Sequence, residues 1–491
     1  MPPTKKTKSA ALPDLKRQHA YIAGKWVAGS TGKTFAVVNP ANGKTVTRVA
    51  DCNAADANAA IVAAKAALPD WKAMLAGDRA AILMRWFDLV RANAEDLATL
   101  LSTEQGKPLA EARGEIAYGA SFIEWFAQEC RRHYGRTIPP FRHGSRPVVT
   151  HEPLGVCAAI TPWNFPNAMI TRKVAPALAA GCTIILKPAQ ETPLSALALA
   201  ALAEKAGLPS GVLNVLPTSA AQDVGRVLCT HPDIRKLSFT GSSEVGRKLM
   251  AQCAPTLKRL SLELGGNAPF IVFDDADLKA AVNGAIQSKF RNSGQTCVCT
   301  NRFYVQRGVY DAFASDLTKA VQALKTGDAF ADNVAIGPLI NTDALTKVED
   351  LVADACARGA KVSCGARRDK KGGLFYAPTV LTGAKPSMKL ARTEIFGPVA
   401  ALFPFDDEAD AITQANASEH GLAAYVYTND IGRAYRVSEA LEYGMVGVNE
   451  GLMSTATAPF GGVKQSGFGR EGGLEGIEEY TSPKYTLFGG I

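Results

Sequence analysis

Hydrophobic positions follow a helical period early in the chain and a strand-helix rhythm after it. Residues 54–128 are rich in Ala and carry Leu, Ile, Trp and Phe at helical spacing, which predicts a set of amphipathic helices. From Gly155 short apolar runs alternate with helical segments, and this alternation predicts βαβ units around a parallel sheet. A second Gly-rich α/β region extends from about residue 268 to 463. The pattern therefore predicts an α/β fold with two such regions.

Short strand candidates lie at both ends of the helical segment. Residues 21–27 and 33–38 are separated by Gly-Ser-Thr-Gly, and we expect them to pair as a hairpin. Residues 146–153 form an extended run bounded by prolines. Because proline is confined to edge strands in sheets, this run suits an edge or a projecting arm.

Composition and charge exclude several classes of protein. The 491 residues are 47% hydrophobic and 20% charged, which is typical of an ordered globular chain with two or three domains. The net charge of +8 comes from basic residues scattered along the chain, which argues against nucleic acid as a partner. The longest apolar runs fall short of the roughly 20 residues that cross a bilayer, so we expect no membrane span.

The N-terminus and the cysteines indicate the compartment. Residues 1–14 include three lysines but no apolar region behind them, so they are predicted to be a solvated tail and not a secretory signal. The ten cysteines lack the spacing of a small disulfide-bonded domain and are expected to be reduced thiols. A cytoplasmic protein is the prediction.

Candidate chemistry lies on loops that border strand-like runs. Cys297 follows a polar loop and precedes the run 301–305, so its thiol is a candidate nucleophile, although free cysteines also serve as buried packing residues. Asn164 follows a strand end, where its amide could donate to a developing oxyanion or simply form a turn. Glu263 stands at another strand end beside glycines, either as a functional carboxylate or as a surface acid.

Two further loops suit a nucleotide. Gly241 and Ser242 follow a strand and open a helix, a geometry that can hold a phosphate against helix N–H groups, although an ordinary βα turn looks the same. Lys187 follows a strand at the carboxyl edge of the same predicted sheet, where α/β folds bind ligands; the alternative is a solvated lysine.

Taken together, these loops resemble the aldehyde dehydrogenase superfamily. Seven motifs occur in that family's order between about residues 21 and 490: Pro162-Trp163-Asn164-Phe165-Pro166, Lys187-Pro188-Ala189, Phe239-Thr240-Gly241-Ser242, Glu263-Leu264-Gly265-Gly266, Gly294-Gln295-Thr296-Cys297, Glu394-Ile395-Phe396-Gly397-Pro398 and Pro459-Phe460-Gly461-Gly462. Three more segments resemble the succinate-semialdehyde dehydrogenase branch: Ile170-Thr171-Arg172-Lys173, Lys289-Phe290-Arg291-Asn292 and Cys297-Val298-Cys299.

The resemblance implies a domain organisation. It places a Rossmann-like open-sheet cofactor domain in residues 15–135 and 153–264, and an α/β catalytic domain in residues 265–465. Residues 136–152 and 480–491 would form a β arm that pairs subunits into a homodimer or homotetramer. The extended run 146–153 agrees with such an arm.

The resemblance also implies a reaction. Cys297 would attack an aldehyde, Asn164 would stabilise the oxyanion, and Glu263 would activate water for hydrolysis of the thioester, without a metal. Lys187 and Glu394 would hold the two riboses of NAD or NADP, Ser242 would hold the pyrophosphate, and Trp163 and Phe396 would line the cofactor path. Gly241 and Leu264 would also contact the cofactor. Gln190 stands where many NAD-preferring relatives carry a glutamate, so NADP is slightly favoured, unless Glu191 brings its charge to the same place.

Two arginines suggest the substrate. Arg172 and Arg291 lie near Asn164 and Cys297 in sequence, and we expect them to bind the distal carboxylate of a semialdehyde, succinate semialdehyde first and glutarate semialdehyde second. Ser454 or Thr455 would assist. The alternative is that the arginines pair with acids in the wall and only shape it.

Cys299 and three rival functions complete the picture. Cys299 is expected to form a reversible disulfide with Cys297, or else to pack under the loop.

An acylating enzyme that uses coenzyme A generally lacks the glutamate found here at 263, so hydrolysis is favoured. A non-catalytic protein on the same fold would be expected to lose one of the three catalytic groups. A metalloprotein is disfavoured because no second cysteine pair accompanies Cys297 and Cys299.

Overall fold

Two large sheets form the frame of the protein in the computed structural model, which describes residues 15–491. The predicted tail, residues 1–14, lies outside the described residues. The strands, in chain order, are β1 (Ala20–Ile22), β2 (Lys25–Val27), β3 (Thr34–Val38), β4 (Thr45–Ala50), β5 (Arg136–Thr137), β6 (Ser145–Pro153), β7 (Val156–Ile160), β8 (Thr183–Lys187), β9 (Leu213–Val215), β10 (Ile234–Thr240), β11 (Arg259–Glu263), β12 (Ala268–Val272), β13 (Thr300–Gln306), β14 (Lys361–Cys364), β15 (Thr379–Thr382), β16 (Val399–Phe405), β17 (His420–Gly421), β18 (Ala423–Tyr427), β19 (Met445–Val448), β20 (Val463–Lys464), β21 (Gly467–Phe468) and β22 (Thr481–Gly489).

Helices cover both large sheets. In chain order they are α1 (Ala54–Ala73), α2 (Ala76–Ala92), α3 (Ala94–Gln105), α4 (Leu109–Glu129), α5 (Ala168–Ala180), α6 (Pro193–Lys205), α7 (Ala221–Thr230), α8 (Ser243–Cys253), α9 (Leu278–Phe290), α10 (Tyr310–Gln322), α11 (Thr342–Ala357), α12 (Glu408–Asn416), α13 (Ile431–Ala440) and α14 (Glu475–Glu478). Among the described residues, no helix is both long enough and apolar enough to span a membrane.

The first sheet has eight strands in the order β2-β1-β9-β8-β7-β10-β11-β21. Its five middle strands are parallel, and β1, β2 and β21 run antiparallel at the edges. Successive side chains of β7 enter different cores: Cys157 and Ala159 pack with α2 to α6, and Ala158 packs with α1, α7 and α8. The sheet is therefore covered on both faces, which explains why its strands are continuous apolar runs.

The second sheet has seven strands in the order β14-β15-β16-β13-β12-β18-β19, all parallel except β14. Strand β12 shows the same alternation, because Phe270 packs with α9 and α10 and Ile271 packs with α11 to α13. After this sheet the chain returns to the first one, where β21 pairs with β11.

A three-stranded sheet contains the predicted arm. Strand β22 pairs with β6 from Thr481 opposite Pro153 to Gly489 opposite Ser145, and β5 pairs with β6 on its other edge. The strand predicted at residues 146–153 is thus present, but the prediction of an edge strand is wrong, because β6 is the middle strand of this sheet. Its role in assembly remains a prediction.

The predicted N-terminal hairpin is wrong in its pairing. Residues 21–27 are themselves a hairpin, because Ala23 (φ 54°) and Gly24 (φ 75°) form a two-residue turn between β1 and β2. Strand β3 pairs instead with β4. The turn has Ala in the first left-handed position, where Asn or Asp is usual, so the sequence lacked the ordinary hairpin signal.

Candidate active site

A cavity of about 310 Å³ lies where loops of the first sheet meet the second region. Its walls come from the segments after β7 and β10, the middle of α4, the loop before β13 and residues 394–396. Carboxyl ends of parallel strands are the usual ligand sites of α/β sheets. Eleven of the residues chosen from sequence line it: Trp163, Asn164, Arg172, Gly241, Ser242, Leu264, Arg291, Cys297, Glu394, Phe396 and Ser454.

The loop that carries Cys297 has an unusual backbone. Asn292 (φ 51°), Ser293 (φ 57°) and Gly294 (φ 77°) are three consecutive left-handed residues, a conformation that costs free energy for side chains with a Cβ. At Gly294 a Cβ would lie 2.1 Å from the main-chain oxygen of Gly397, so only glycine fits. The turn then presents Cys297, partly exposed, to the cavity.

Hydrogen bonds hold this strained turn in place. The Ser293 hydroxyl donates to the Gly337 carbonyl at 3.0 Å, and the Gln295 side-chain oxygen accepts from the Ile340 N–H at 3.0 Å. The Asn292 amide donates to the Asn164 carbonyl at 3.0 Å. The loop that carries Cys297 is therefore fixed to the Asn164 loop and to residues 337–340.

The Asn164 amide lies beside the loop that carries Cys297. Its Nδ2 donates to the Gln295 carbonyl at 3.0 Å, two residues before Cys297. Its Oδ1 is buried without a hydrogen-bond partner. An amide nitrogen carries two hydrogens, so the second remains available to an oxygen bound in the cavity.

Glu263 ends strand β11 and is buried behind the cavity wall. Both of its carboxyl oxygens lack hydrogen-bond partners. The chain approaches it closely at Gly461, where a Cβ would lie 2.9 Å from Oε1. Burial raises the pKa of Glu263 well above the ordinary carboxyl value, and the nearby Glu471 raises it further, against the effect of Arg172. A carboxylate whose pKa is raised is a stronger base than an ordinary one.

The Cys297 thiol is protonated at rest. Burial raises its pKa to about 12; Arg172 acts in the opposite direction, and Glu394 and Glu263 add to the rise. Since the thiolate is the nucleophile, this cysteine needs a base or a bound cofactor and substrate to become reactive.

Arg172 is a buried residue that lines the cavity and also forms an ion pair. Its Nε donates to Glu471, which also pairs with Lys173, and its guanidinium lies 4.2 Å from the centre of the Phe460 ring. The acid-pairing alternative is thus present for this arginine. Its Nη2, however, is buried without a hydrogen-bond partner while the residue lines the cavity.

Arg291 lines the same cavity and, among the described residues, has no direct carboxylate partner, although Glu111 lies near enough to interact with it electrostatically. Within residues 15–491 it forms no ion pair, and its guanidinium lies 5.4 Å from the centre of the Phe165 ring. Ser454 also lines the cavity. Thr455 does not: it is exposed, and its hydroxyl is 3.1 Å from that of Thr457.

The predicted cofactor residues divide into two groups. Six line the cavity, including Trp163 and Phe396, whose rings are perpendicular with centres 5.5 Å apart. Ser242 caps α8 by accepting from the Val245 N–H at 3.3 Å. Glu394 accepts from the Gly266 N–H at 3.1 Å, and burial raises its pKa to about 7.

Lys187 and Gln190 lie outside this cavity wall. Lys187 is buried and donates to the Pro188 carbonyl at 3.0 Å; burial lowers its pKa to about 8, and Glu191 opposes this shift. Gln190 is exposed and Glu191 half-buried. The ammonium group of Lys187 and the carboxylate of Glu191 are therefore close enough to interact electrostatically.

Cys299 is a buried free thiol. Its Sγ donates to the Lys289 carbonyl at 3.5 Å, and burial raises its pKa. Cys297 is also a free thiol. In this conformation Cys299 packs under the loop that carries Cys297, which was the alternative to a disulfide. The reversible disulfide stays a prediction.

Sequence reasoning missed several residues of the site. Glu471 neutralises Arg172 and Lys173, and Tyr118 places its buried hydroxyl near Arg172 without a hydrogen bond of normal geometry. Glu471 stands before two glycines, much as Glu263 does, and that likeness was the available signal. Tyr118 lies on a helix with no motif around it.

The fold and the comparisons with known proteins define an oxidoreductase. The chain belongs to the aldehyde dehydrogenase family, whose model matches residues 26–486. The predicted family and fold are thereby confirmed.

Relatives and a solved structure match the chain over nearly its whole length. Escherichia coli (strain K12) succinate-semialdehyde dehydrogenase [NADP(+)] GabD is 57% identical, over 97% of this chain and 98% of that protein. Pseudomonas putida 3-sulfolactaldehyde dehydrogenase is 56% identical, over 98% of each. Pseudomonas aeruginosa glutarate-semialdehyde dehydrogenase is 56% identical, over 97% and 99%. The crystal structure of succinate-semialdehyde dehydrogenase from Burkholderia pseudomallei has a TM-score of 0.96 at 59% identity, covering 97% and 98%.

Proposed function

We propose that this chain oxidises a short semialdehyde with a distal carboxylate to the corresponding acid, succinate semialdehyde first and glutarate semialdehyde second. The observation that carries the proposal is that two arginines, Arg172 and Arg291, line the cavity. Arg172 has a buried Nη2 without a hydrogen-bond partner, and Arg291 forms no ion pair within residues 15–491. Guanidinium donors match a planar carboxylate, and an uncharged aldehyde cannot use them. The names of the GabD and glutarate-semialdehyde relatives support the same chemistry.

A sulfonated aldehyde is the second candidate. The 3-sulfolactaldehyde relative is almost as similar as the other two. A sulfonate has three oxygens where a carboxylate has two, and the hydroxyls of Ser454 and Tyr118 offer additional polar groups at the cavity. Direct comparison of the two kinds of anion is therefore part of the test.

The residues present fit a nicotinamide cofactor. The Gly241–Ser242 turn opens α8 at the carboxyl edge of the first sheet. The buried Lys187 and the half-buried Glu394 would hydrogen-bond the ribose hydroxyls. A bound NAD or NADP supplies the acceptor for the hydride that leaves the aldehyde carbon. The neutral Gln190 would not repel a 2′-phosphate, and the GabD relative is named for NADP. We therefore favour NADP.

The residues of the chain perform the covalent steps. Glu263 would accept the proton of the Cys297 thiol and pass it to solvent, and the thiolate would add to the aldehyde carbon, because a planar aldehyde has no hydride to give until a heteroatom has added. The oxyanion of this adduct would accept hydrogen bonds from Asn164 Nδ2 and the Cys297 N–H. Each such donor contributes roughly 3–4 kcal/mol in comparable sites. Loss of the hydride leaves a thioester on Cys297.

Glu263 completes the cycle. Its carboxylate would take a proton from water, the hydroxide would attack the thioester, and the acid would leave as the thiol is restored. The presence of Glu263 favours water over coenzyme A as the acceptor. Its buried, unpartnered oxygens suit a group that must exchange protons during turnover.

Domains, assembly and location are part of the proposal. Residues 15–135 and 153–264 would bind the cofactor, residues 265–465 would carry the nucleophile, and residues 136–152 with 480–491 would pair subunits in a homodimer or homotetramer. Large apolar side chains are exposed along that arm, namely Ile138, Phe141, Tyr485, Phe488 and Ile491. All ten cysteines are free thiols, which supports a reducing compartment such as the cytoplasm.

Steady-state kinetics test the proposal. Succinate semialdehyde, glutarate semialdehyde, 3-sulfolactaldehyde, butanal and pentanal are each assayed with NAD and with NADP. The highest kcat/KM is expected for a carboxylate aldehyde with NADP, and Cys297→Ala should show no oxidation. A higher kcat/KM for butanal than for succinate semialdehyde would refute the proposed substrate class.

A further inference from the structure

A cluster at the junction of α3 and α4 contacts both catalytic loops, and no step of the mechanism uses it. We call it the junction cluster; its members are Gln105, Lys107, Glu111 and Glu115. Gln105, Lys107 and Glu115 are buried, and Glu111 is half-buried. The cluster stands about fifty residues before Asn164 and far before Cys297 in the sequence.

One half of the junction cluster holds the Asn164 loop. Lys107 Nζ donates to the Asn164 carbonyl at 2.8 Å and to Glu115, and it lies 3.6 Å from the centre of the Phe165 ring. The other Glu115 oxygen accepts from the Asn167 N–H at 2.8 Å, where α5 begins. A carboxylate at a helix N-terminus is stabilising, so both ends of this ion pair fix the same loop.

The other half holds the Cys297 loop. Glu111 accepts from the main-chain N–H of Asn292 at 2.7 Å, and Gln105 donates to the Asn292 side-chain oxygen at 3.0 Å. Asn292 is the first of the three left-handed residues, and such a conformation persists only where the surroundings impose it. These two contacts are part of what imposes it.

The two halves meet at one atom. The Asn164 carbonyl accepts from both Lys107 and Asn292, while the Asn164 amide donates to the Gln295 carbonyl. A shift of Asn292 or Lys107 therefore moves the oxyanion donor relative to the nucleophile. A buried ion pair such as Lys107 with Glu115 adds little net stability compared with apolar packing, so stability alone does not account for it.

We propose that Lys107 and Glu111 are positioning residues, which set the Asn164 amide against Cys297 for attack on the aldehyde. The inference rests on the proposed function, because it assumes the Cys297 nucleophile and the Asn164 donor. It concerns the first covalent step alone. Binding of the distal anion and hydrolysis of the thioester are left to other residues.

Single-turnover kinetics of Glu111 variants test the inference. With enzyme in excess over succinate semialdehyde and saturating cofactor, the rate constant of cofactor reduction does not depend on the fraction of inactive enzyme. We expect Glu111→Ala to lower it by about ten- to a hundredfold, because misplacement by about 1 Å can cost that much. Glu111→Gln keeps an acceptor for Asn292 and should stay within about threefold of the parent. The steady-state KM for the semialdehyde should change by less than about threefold in both.

Further variants separate positioning from damage to the helices. Lys107→Met combined with Glu115→Gln removes the buried charges together and should also slow the single turnover by about tenfold or more. Glu95→Gln is the matched control, since it breaks an exposed ion pair with Arg113 between the same two helices and should change nothing. In an Asn164→Ala background, Glu111→Ala should add less than about threefold, because coupled residues are not additive.

Three results would overturn the inference. They are an unchanged rate constant in Glu111→Ala, equal losses in Glu111→Gln and Glu111→Ala, or full additivity with Asn164→Ala. Failure of the proposed function looks different: the parent would then prefer butanal to succinate semialdehyde, or Cys297→Ala would oxidise the semialdehyde as well as the parent.

Discussion

Arg172 and Glu471, 299 residues apart in the chain, form a buried ion pair that occupies only one edge of the guanidinium. Nε faces Glu471, and Nη2 is buried without a hydrogen-bond partner, while the residue as a whole lines the cavity. Lys173 shares the same carboxylate. Under the proposed function the same arginine would stabilise the wall and donate to a bound anion.

Arg172→Lys tests this division of roles. Lysine keeps a cation near Glu471 but has no planar fork, so it cannot also present a second edge. We expect KM for succinate semialdehyde to rise about tenfold, consistent with the loss of roughly 1.5 kcal/mol for one charge-assisted hydrogen bond. KM for butanal should change less than threefold, and the melting temperature by less than about 3 °C. Equal increases of KM for both aldehydes would mean that Arg172 only shapes the wall.

Hydrolysis of the thioester should depend on the ionisation of Glu263. Its pKa is raised above the ordinary carboxyl range, chiefly by burial, so the carboxyl is protonated at low pH and cannot accept a proton from water. The rate of deacylation is therefore expected to rise with pH through that raised pKa. Glu263→Gln should retain the first turnover at alkaline pH, with a burst of about one reduced cofactor per active site, and lose the pH-dependent increase. Stopped-flow absorbance at several pH values measures both; a variant with unchanged steady-state turnover would contradict the assigned role.

The charge near Lys187 should control the choice of cofactor. Gln190→Glu places a carboxylate where it would repel a 2′-phosphate, so kcat/KM with NADP should fall about tenfold or more, while kcat/KM with NAD changes less than threefold. Glu191→Gln tests the alternative that its carboxylate already plays this part. A parent enzyme that prefers NAD tenfold or more would refute the argument from Gln190.

Oxidation should inactivate the enzyme reversibly through Cys299. A disulfide with Cys297 requires the two Cα atoms to come within about 7 Å, and so a movement of Cys299 away from the Lys289 carbonyl. Peroxide should inactivate the parent, and a dithiol should restore most of the activity. In Cys299→Ala the recovered fraction should fall by more than half, since Cys297 then oxidises beyond recovery. Equal recovery in the two proteins would show that Cys299 only packs under the loop.

The sequence predicted those parts of the structure that depend on local pattern. Helical periodicity in residues 54–128 indicated α1 to α4, and continuous apolar runs indicated β7 and β8. These predictions succeeded because the spacing of apolar residues along the chain reflects whether an element is buried on one face or on both. The pairing of β1 with β2 was missed, since the turn at Ala23 carries no common hairpin signal.

The ion pairs and hydrogen bonds between residues that are far apart in the sequence could not be predicted from it. Nothing near Arg172 in sequence indicates that Glu471 would neutralise it, or that Lys107 would reach the Asn164 carbonyl. The motifs placed Cys297, Asn164 and Arg291 around one cavity, but they did not reveal the left-handed turn at Asn292 that aims the thiol. Such a turn is set by contacts from several helices and not by local preference.

The most direct test of the substrate class is the ratio of kcat/KM for succinate semialdehyde to that for butanal, measured in the parent and in Arg291→Ala. The two aldehydes have the same chain length and differ in the distal carboxylate. Arg291→Ala should raise KM for the semialdehyde tenfold or more and change KM for butanal less than threefold, so the ratio should fall about tenfold. A parent enzyme that prefers butanal, or equal losses on the two aldehydes, would contradict the account.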